Sequence, residues 1–205
     1  MRALIAFLIA VAAFGEAYAA DLTVRVVGPD GAPIENAVVT FTPNGGASGP
    51  IRFSWPYQVS QHNLQFDPYI LIVPVGAEVR FPNLDRVRHH VYSLSQANRF
   101  ELELYGRDES RTHRFRQAGV AAIGCNIHDQ MQAYIVIVDT PHVGRTNVGG
   151  STLLTGVRGA GELRVWHPQL RTRGGAMVRA VTLSPTGMAQ EHFQIQLRSA
   201  GGHAH

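Results

Sequence analysis

Short runs of alternating apolar and polar residues dominate this chain. Residues 22–26, Leu-Thr-Val-Arg-Val, alternate with period two and stop at Gly28-Pro29-Asp30-Gly31, a turn signal. A second run, 37–41, is closed by Pro43-Asn44-Gly45-Gly46. A connector containing Gly, Ser and Pro leads to Pro50, and 51–60 fits no single template. From residue 62 the pattern sharpens, and strands are expected at 64–66, 69–73, 77–81, 89–94, 100–104, 111–115, 120–124 and 133–138. The run 133–138 is apolar almost throughout, which predicts a central strand. After Pro141 come further runs at 151–154, 161–166, 176–183 and 192–197, separated by glycines. No long amphipathic helix is legible, so the expected class is an all-β sandwich.

The two ends of the chain are each incomplete. The N-terminal piece supplies two short strands, too few to hide an apolar face. The C-terminal piece supplies about four more. Together they can make one discontinuous sandwich from 20–50 and 142–198, with a separate domain at 61–141 inserted between them. Insertion is physically easy because domain termini often lie close together.

The first residues change the picture of where the protein works. Met1-Arg2 precedes an apolar run to Phe14, and Ala17-Tyr18-Ala19 fits a small-residue cleavage site. This predicts a signal peptide at 1–19 and an exported, periplasmic protein. Cleavage there removes one Arg and one Glu, so the net charge stays at the +3 of the whole sequence. All 18 basic side chains are Arg, and they are dispersed rather than run together. Dispersal argues against nucleic acid as a partner.

An exported chain with a single cysteine needs an explanation for it. Cys125 opens the stretch Cys-Asn-Ile-His-Asp-Gln-Met, which places His128 and Met131 at successive three-residue steps. His89-His90 stands upstream in a strand-like run. Taken singly, such residues are more often packing: a lone Cys is a small buried hydrophobe and a Met near a strand is core. Together they form the donor set of a blue-copper site, two His and one Cys in a plane with a weak axial Met. The competing reading of Cys125 is an intermolecular disulfide.

Phe81-Pro82-Asn83-x-Asp85, then His89, then Cys125-x-x-His128-x-x-Met131, resembles the cupredoxins, most closely those of amicyanin and plastocyanin type. The wider chain resembles the plastocyanin-like proteins named for methylamine utilisation. The resemblance implies a Greek-key sandwich over 61–141 and one type-1 copper held by His89, Cys125, His128 and Met131. It also puts His128 nearest the surface, as the electron exit. An Asn often follows the upstream ligand in that family; here His90 stands there. His90 can support the site or compete as the ligand. Alternation puts His89 and Val91 on one face and His90 on the other, which favours His89. The flanks, 22–42 and 156–168, resemble a carboxypeptidase-regulatory-like domain, a transthyretin-like sandwich. That resemblance is the second ground for the inserted arrangement.

The remaining candidates read more blandly. His167 sits between Trp166 and Pro168, a packing and turn environment. His113 lies among arginines and is expected to be solvated. Glu101, Glu103, Asp108 and Glu109 read as a solvated strand face, and His203 and His205 as a frayed tail. No nucleophile elbow, phosphate loop or helical zinc motif is present. The expected function is a periplasmic electron carrier, not an enzyme, serving a redox protein such as a cytochrome c or a periplasmic dehydrogenase. The alternatives are a copper carrier, sensor or chaperone without electron transfer, and a copper enzyme with an open coordination position, against which Met131 speaks.

Overall fold

The computed structural model describes residues 20–47, 49–184 and 187–198. The expected leader and the tail with His203 and His205 lie outside the described residues. The strands are β1 (Ala20–Val27), β2 (Val38–Pro43), β3 (Ser60–His62), β4 (Gln65–Asp67), β5 (Ile70–Pro74), β6 (Glu78–Pro82), β7 (His89–Ser93), β8 (Phe100–Tyr105), β9 (Ser110–Arg114), β10 (Gly119–Gly124), β11 (Gln132–Val138), β12 (Val143–Arg145), β13 (Ser151–Val157), β14 (Gly159–Trp166), β15 (Met177–Leu183) and β16 (Met188–Gln194). One 3₁₀ turn, Gln96–Asn98, is the only helical piece among the described residues. No helix among them is long and apolar enough to cross a membrane. The chain is all-β, as its alternation requires.

Two apolar layers follow from that alternation. The sheet β5-β11-β10-β7-β8 faces the antiparallel pair β6-β9 and the small ribbon β3-β4. Between them lies a core that includes Leu71, Val73, Val79, Phe81, Val91, Ile135 and Ile137. The sheets β13-β1-β16 and β12-β2-β14-β15 enclose a second core that includes Leu22, Val24, Val26, Phe41, Leu163 and Phe193. Each fully buried side chain of this size contributes about 1.5–3 kcal/mol. In β1 the alternate residues Leu22, Val24 and Val26 are fully buried, while Arg25 is exposed.

Strand pairing joins the two ends of the chain. β1 pairs antiparallel with β13 and parallel with β16. β2 pairs with β12 and β14, both antiparallel. Gly161 of β14 lies so close to Phe41 and Thr42 of β2 that a Cβ would come within 2.6 Å of the Phe41 ring. A side chain there would force the two strands apart. Glycine permits the approach.

β5 and β11 are buried on both faces. Leu71, Val73, Ile135 and Ile137 enter the first core. Ile70, Ile72, Val136 and Val138 instead form a third cluster with Val38, against which Trp166 and Tyr134 pack. The seam between the two layered units is therefore apolar. β11 lies between β5 and β10, which is the central position its composition predicts.

Two expectations from the sequence need correction. The stretch between Pro141 and Ser151, where no strand is expected, contains β12, which pairs with β2. Its three residues Val-Gly-Arg are too short and too mixed to show a period. The last strand runs over Met188–Gln194 rather than 192–197. The parallel ladder to β1 sets these bounds. Phe193 and Ile195 still alternate into the core, each 1% exposed.

The central place of β1 yields a prediction. Leu22→Ala should cost about 2–5 kcal/mol by opening a cavity between the two outer sheets. Leu84→Ala, at a surface position 47% exposed, should stay within about 0.5 kcal/mol of wild type. Urea denaturation of the two variants measures the difference.

Candidate metal centre

Cys125 follows directly on the last residue of β10, and Met131 directly precedes β11. The seven residues from Cys125 to Met131 make the connection between these paired strands. Two backbone bonds close it: Met131 N–H donates to His128 O at 2.9 Å, and Cys125 N–H donates to Met131 O at 3.3 Å. The loop is thus tight, and its Cys and Met side chains turn inward into the same core. β7 runs antiparallel beside β10, with Tyr92 opposite Gly124. Extending that register brings the His89 end of β7 alongside the loop.

The result is a three-residue cluster. Nδ1 of His128 lies 3.6 Å from Cys125 Sγ, and Nδ1 of His89 lies 3.9 Å from it. The three donor atoms all fall within 4.8 Å of one another. A metal about 2.3 Å from sulfur and about 2.0 Å from each nitrogen, in a trigonal plane, separates sulfur from nitrogen by about 3.7 Å. The observed spacings bracket that value, so the donors fit a metal without moving their strands. His89 is fully buried, Cys125 is 4% exposed and Met131 1% exposed. His128 keeps part of its ring at the surface. A buried thiol of this kind is poorly placed for an intermolecular disulfide.

A carboxylate fixes His89. Its Nε2–H donates to Asp85 Oδ2 at 2.8 Å, which leaves Nδ1 as the free nitrogen facing Cys125. Asp85 is itself held: its two oxygens accept the backbone N–H groups of Asn63 at 2.7 Å and Leu64 at 3.0 Å. Burial alone would raise the Asp85 pKa, but the bonds from Leu64, His89 and Asn63 outweigh it and lower the value. The group is therefore ionised at neutral pH. Asn63 and Leu64, both at positive φ, form the two-residue turn between β3 and β4. Such a turn matches strand twist but is unusual for Leu.

Asn83, fully buried, completes the frame. Its amide donates to Val87 O at 2.8 Å and Tyr105 O at 3.1 Å, and its Oδ1 accepts the Asp85 N–H at 2.9 Å. Tyr105 donates its hydroxyl to Phe81 O at 2.9 Å, and burial raises its pKa. These bonds tie the loop 83–88 to β6 and β8.

The structure thus brings His89, Cys125 and His128 together, with Met131 in the adjoining core. It sends His90 elsewhere: Nε2 of His90 lies 2.8 Å from Glu101 Oε1, on the opposite face of β7. A register shift between β7 and β8 at this point leaves both histidines buried without exchanging their directions. Glu101 is consequently a partner of His90, not merely a solvated residue. His113 is also not simply solvated, because its ring stacks on Phe100 at 4.2 Å. His167 accepts the Gln169 N–H at 3.1 Å and shapes a turn. In the sequence Asp85 stands only as the last residue of Phe81-Pro82-Asn83-x-Asp85, with no visible role. Its partners His89 and Leu64 are four residues downstream and twenty-one upstream, so no local period reveals the bond.

No protein-family model matches the chain, and no curated protein does. Solved structures show similarity. The purple cupredoxin of Nitrosopumilus maritimus is 20% identical over 40% of this chain and 98% of its own, with a TM-score of 0.36. A reduced tryptophan-to-tyrosine mutant of amicyanin is 15% identical over 51% of this chain and 100% of its own, at 0.38. The copper-containing nitrite reductase NirK of Thermus scotoductus SA-01 is 22% identical over 56% of this chain and 28% of its own, at 0.39. Cupredoxins thus stand among the chain's structural neighbours. Likeness at this level says nothing of what the chain does.

The bond from Asp85 to His89 generates the next prediction. Asp85→Asn keeps the shape but removes the anionic acceptor. Affinity for Cu(II), measured by competition with a chelator, should fall about 10–100-fold, as for other supporting partners of metal-ligating histidines. Equal affinity would take Asp85 out of the site.

Proposed function

We propose that the chain is an exported, mononuclear type-1 (blue) copper protein that carries electrons between redox proteins. The observation that carries this reading is the buried cluster of one thiol and two imidazole nitrogens at metal spacing, on a loop that also supplies Met131. Bound copper would supply a one-electron Cu(I)/Cu(II) couple, which the soft sulfur donors and the imidazoles together accommodate. His89, Cys125 and His128 would hold the metal, with Met131 of the same loop as a further sulfur donor. Asp85 holds His89 in the tautomer that presents Nδ1. Phe81, Val91 and their neighbours exclude water from the inner side. His128 is the donor residue nearest solvent, so its ring edge is where a partner such as a cytochrome c or a periplasmic dehydrogenase comes closest.

The rest of the reading rests on sequence. Residues 1–19 fit a secretory signal, which supports export to the periplasm as part of the reading. We divide the chain into a cupredoxin domain at 61–141 and a regulatory-like sandwich from 20–50 and 142–198, supported by the pairing of β1 and β2 with strands after Pro141. A module built only to hand copper on would expose its sulfur donors, and the burial of Cys125 and Met131 speaks against that alternative.

Addition of Cu(II) to the full chain should produce intense thiolate-to-copper absorption in the visible range. Cys125→Ser should abolish the colour while the fold, read by far-ultraviolet dichroism, survives. Colour retained in that variant would sink the proposal, and so would a colourless wild-type complex. A second prediction separates the two histidines. His89→Ala should change the electron-resonance spectrum of the copper more than His90→Ala does. The reverse order would exchange their roles.

A further inference from the structure

Residues 51–60 fit no single strand or helix template, and the copper reading gives them no use. They form an arm that is nevertheless pinned. Val59 N–H donates to Arg80 O at 2.9 Å, and Arg80 N–H donates to Tyr57 O at 3.0 Å. Phe53 N–H donates to the Tyr57 hydroxyl oxygen at 2.9 Å. Trp55 Nε1–H reaches across to Ile72 O of β5 at 2.8 Å. We propose that the arm serves to present Trp55 to a saccharide: the cleft beside it binds a neutral pyranose ring, whose apolar face lies on the indole.

The first observation is a large ring that is fixed and yet exposed. Phe53 covers one face of the indole, the ring centroids lying 4.5 Å apart at an interplanar angle of 6°. Trp55 is still 39% exposed, and it lines a cleft of about 630 Å³. That volume falls in the range of about 300–1,000 Å³ usual for small-ligand sites. β5 and β12 are each the last strand of their sheets, and Ile72 of one and Arg145 of the other both line the cleft. The cleft thus lies at the seam between the two layered units, a favoured place for ligands. Stacking on Phe53 and the bond to Ile72 set the ring in place beforehand, so little freedom is left to lose when a ligand arrives.

The second observation is the chemistry of the lining. Its charged side chains are Asp67 and Arg145, and neither forms a salt bridge among the described residues. One carboxylate and one guanidinium cancel, so net charge draws neither an anion nor a cation into the cleft. Gln58 and Ser60 add uncharged polar groups. Gln58 gives one N–H to Ser60 Oγ at 3.0 Å, which leaves its carbonyl oxygen to accept. A hydroxyl both donates and accepts, so a sugar uses the carboxylate and the guanidinium alike. One face of a pyranose carries axial C–H groups, and that apolar face fits a flat aromatic ring. A small zwitterion matches the two charges but leaves the indole, Gln58 and Ser60 idle. A neutral polyol with an apolar face uses them all.

Saturation-transfer NMR on the full chain, with cellobiose, maltose and diacetylchitobiose as probes, reads the binding. At least one should receive saturation, strongest at the C–H protons of one ring face; which one does so names the class of saccharide. Trp55→Ala should weaken that binding at least about tenfold, the loss of one aromatic stacking contact with its buried area. Trp55→Phe keeps an aromatic face and should weaken it less. Arg145→Gln changes an exposed side chain and should weaken it as well, with the fold checked by far-ultraviolet dichroism. No transfer to any of these disaccharides overturns the proposal, as does equal affinity in Trp55→Ala. Binding of phenylalanine in their place assigns the cleft to a zwitterion and overturns it too. So does a wild-type chain that sediments as a dimer while the Trp55→Ala variant sediments as a monomer, since a second copy then covers the ring. None of these residues belongs to the copper cluster, so the two readings fail separately.

Discussion

β5 and β11 lie side by side in parallel, with Leu71 opposite Ile135 and Val73 opposite Ile137. Parallel neighbours cannot be joined by a tight hairpin and need a long crossover. Here the crossover runs from Val75 to Met131 and contains β6 through β10, His89 and the whole ligand loop. Closing the pair therefore folds the site's sandwich around itself. Because both strands are apolar on both faces, the same pairing presents Ile70, Ile72, Val136 and Val138 outward. That outward face has to be covered, and Val38, Trp166 and their neighbours from the flanking sheets cover it. One strand pair thus commits the chain to two layers on one side and a second sandwich on the other.

The donors are positioned by this frame rather than by one another. Cys125 and Met131 sit at the mouths of two neighbouring strands whose register is fixed over six residue pairs, from Gly119–Ile137 to Gly124–Gln132. His89 is placed by β7 and then by Asp85. The polar groups that do this work are buried, and buried polar networks stabilise only when each member is satisfied. Here the carboxylate of Asp85 receives three donors, and Asn83 uses both donors and its acceptor. The positive-φ turn at Asn63 and Leu64 costs energy locally, and its two amides recover part of it on Asp85. Side chains held in this way have little freedom to move.

Much of this was legible from residue order. Alternation in 22–26 and 77–81 identified buried faces because a strand's period is two wherever one face is dry. The closeness of Cys125 and His128 was legible because one short loop holds both. His89 was separable from His90 by the same alternation, even with a register shift next to it. What escaped depended on distant partners. Asp85 acquires its role only when the 63–64 turn arrives from earlier in the chain. His113 looks solvated among arginines until Phe100 comes to lie under it. β12 is three residues long and owes its strand character to β2, not to its own pattern.

The placement of the second sandwich bears on how the first can be used. The covalent exit from β11 lies at Val138, at the end opposite the ligand loop, about 20 Å away at the usual rise of an extended strand. Thr140 anchors that exit, donating its hydroxyl to Phe41 O at 2.6 Å. The apolar seam occupies the outer face of β5 and β11, not the rim where the loop emerges. With the flanking sheets in place His128 still keeps part of its ring exposed, beside Ile127 at 49% exposure. The attached sandwich can therefore brace the sheet from behind without closing the edge at which a redox partner would approach.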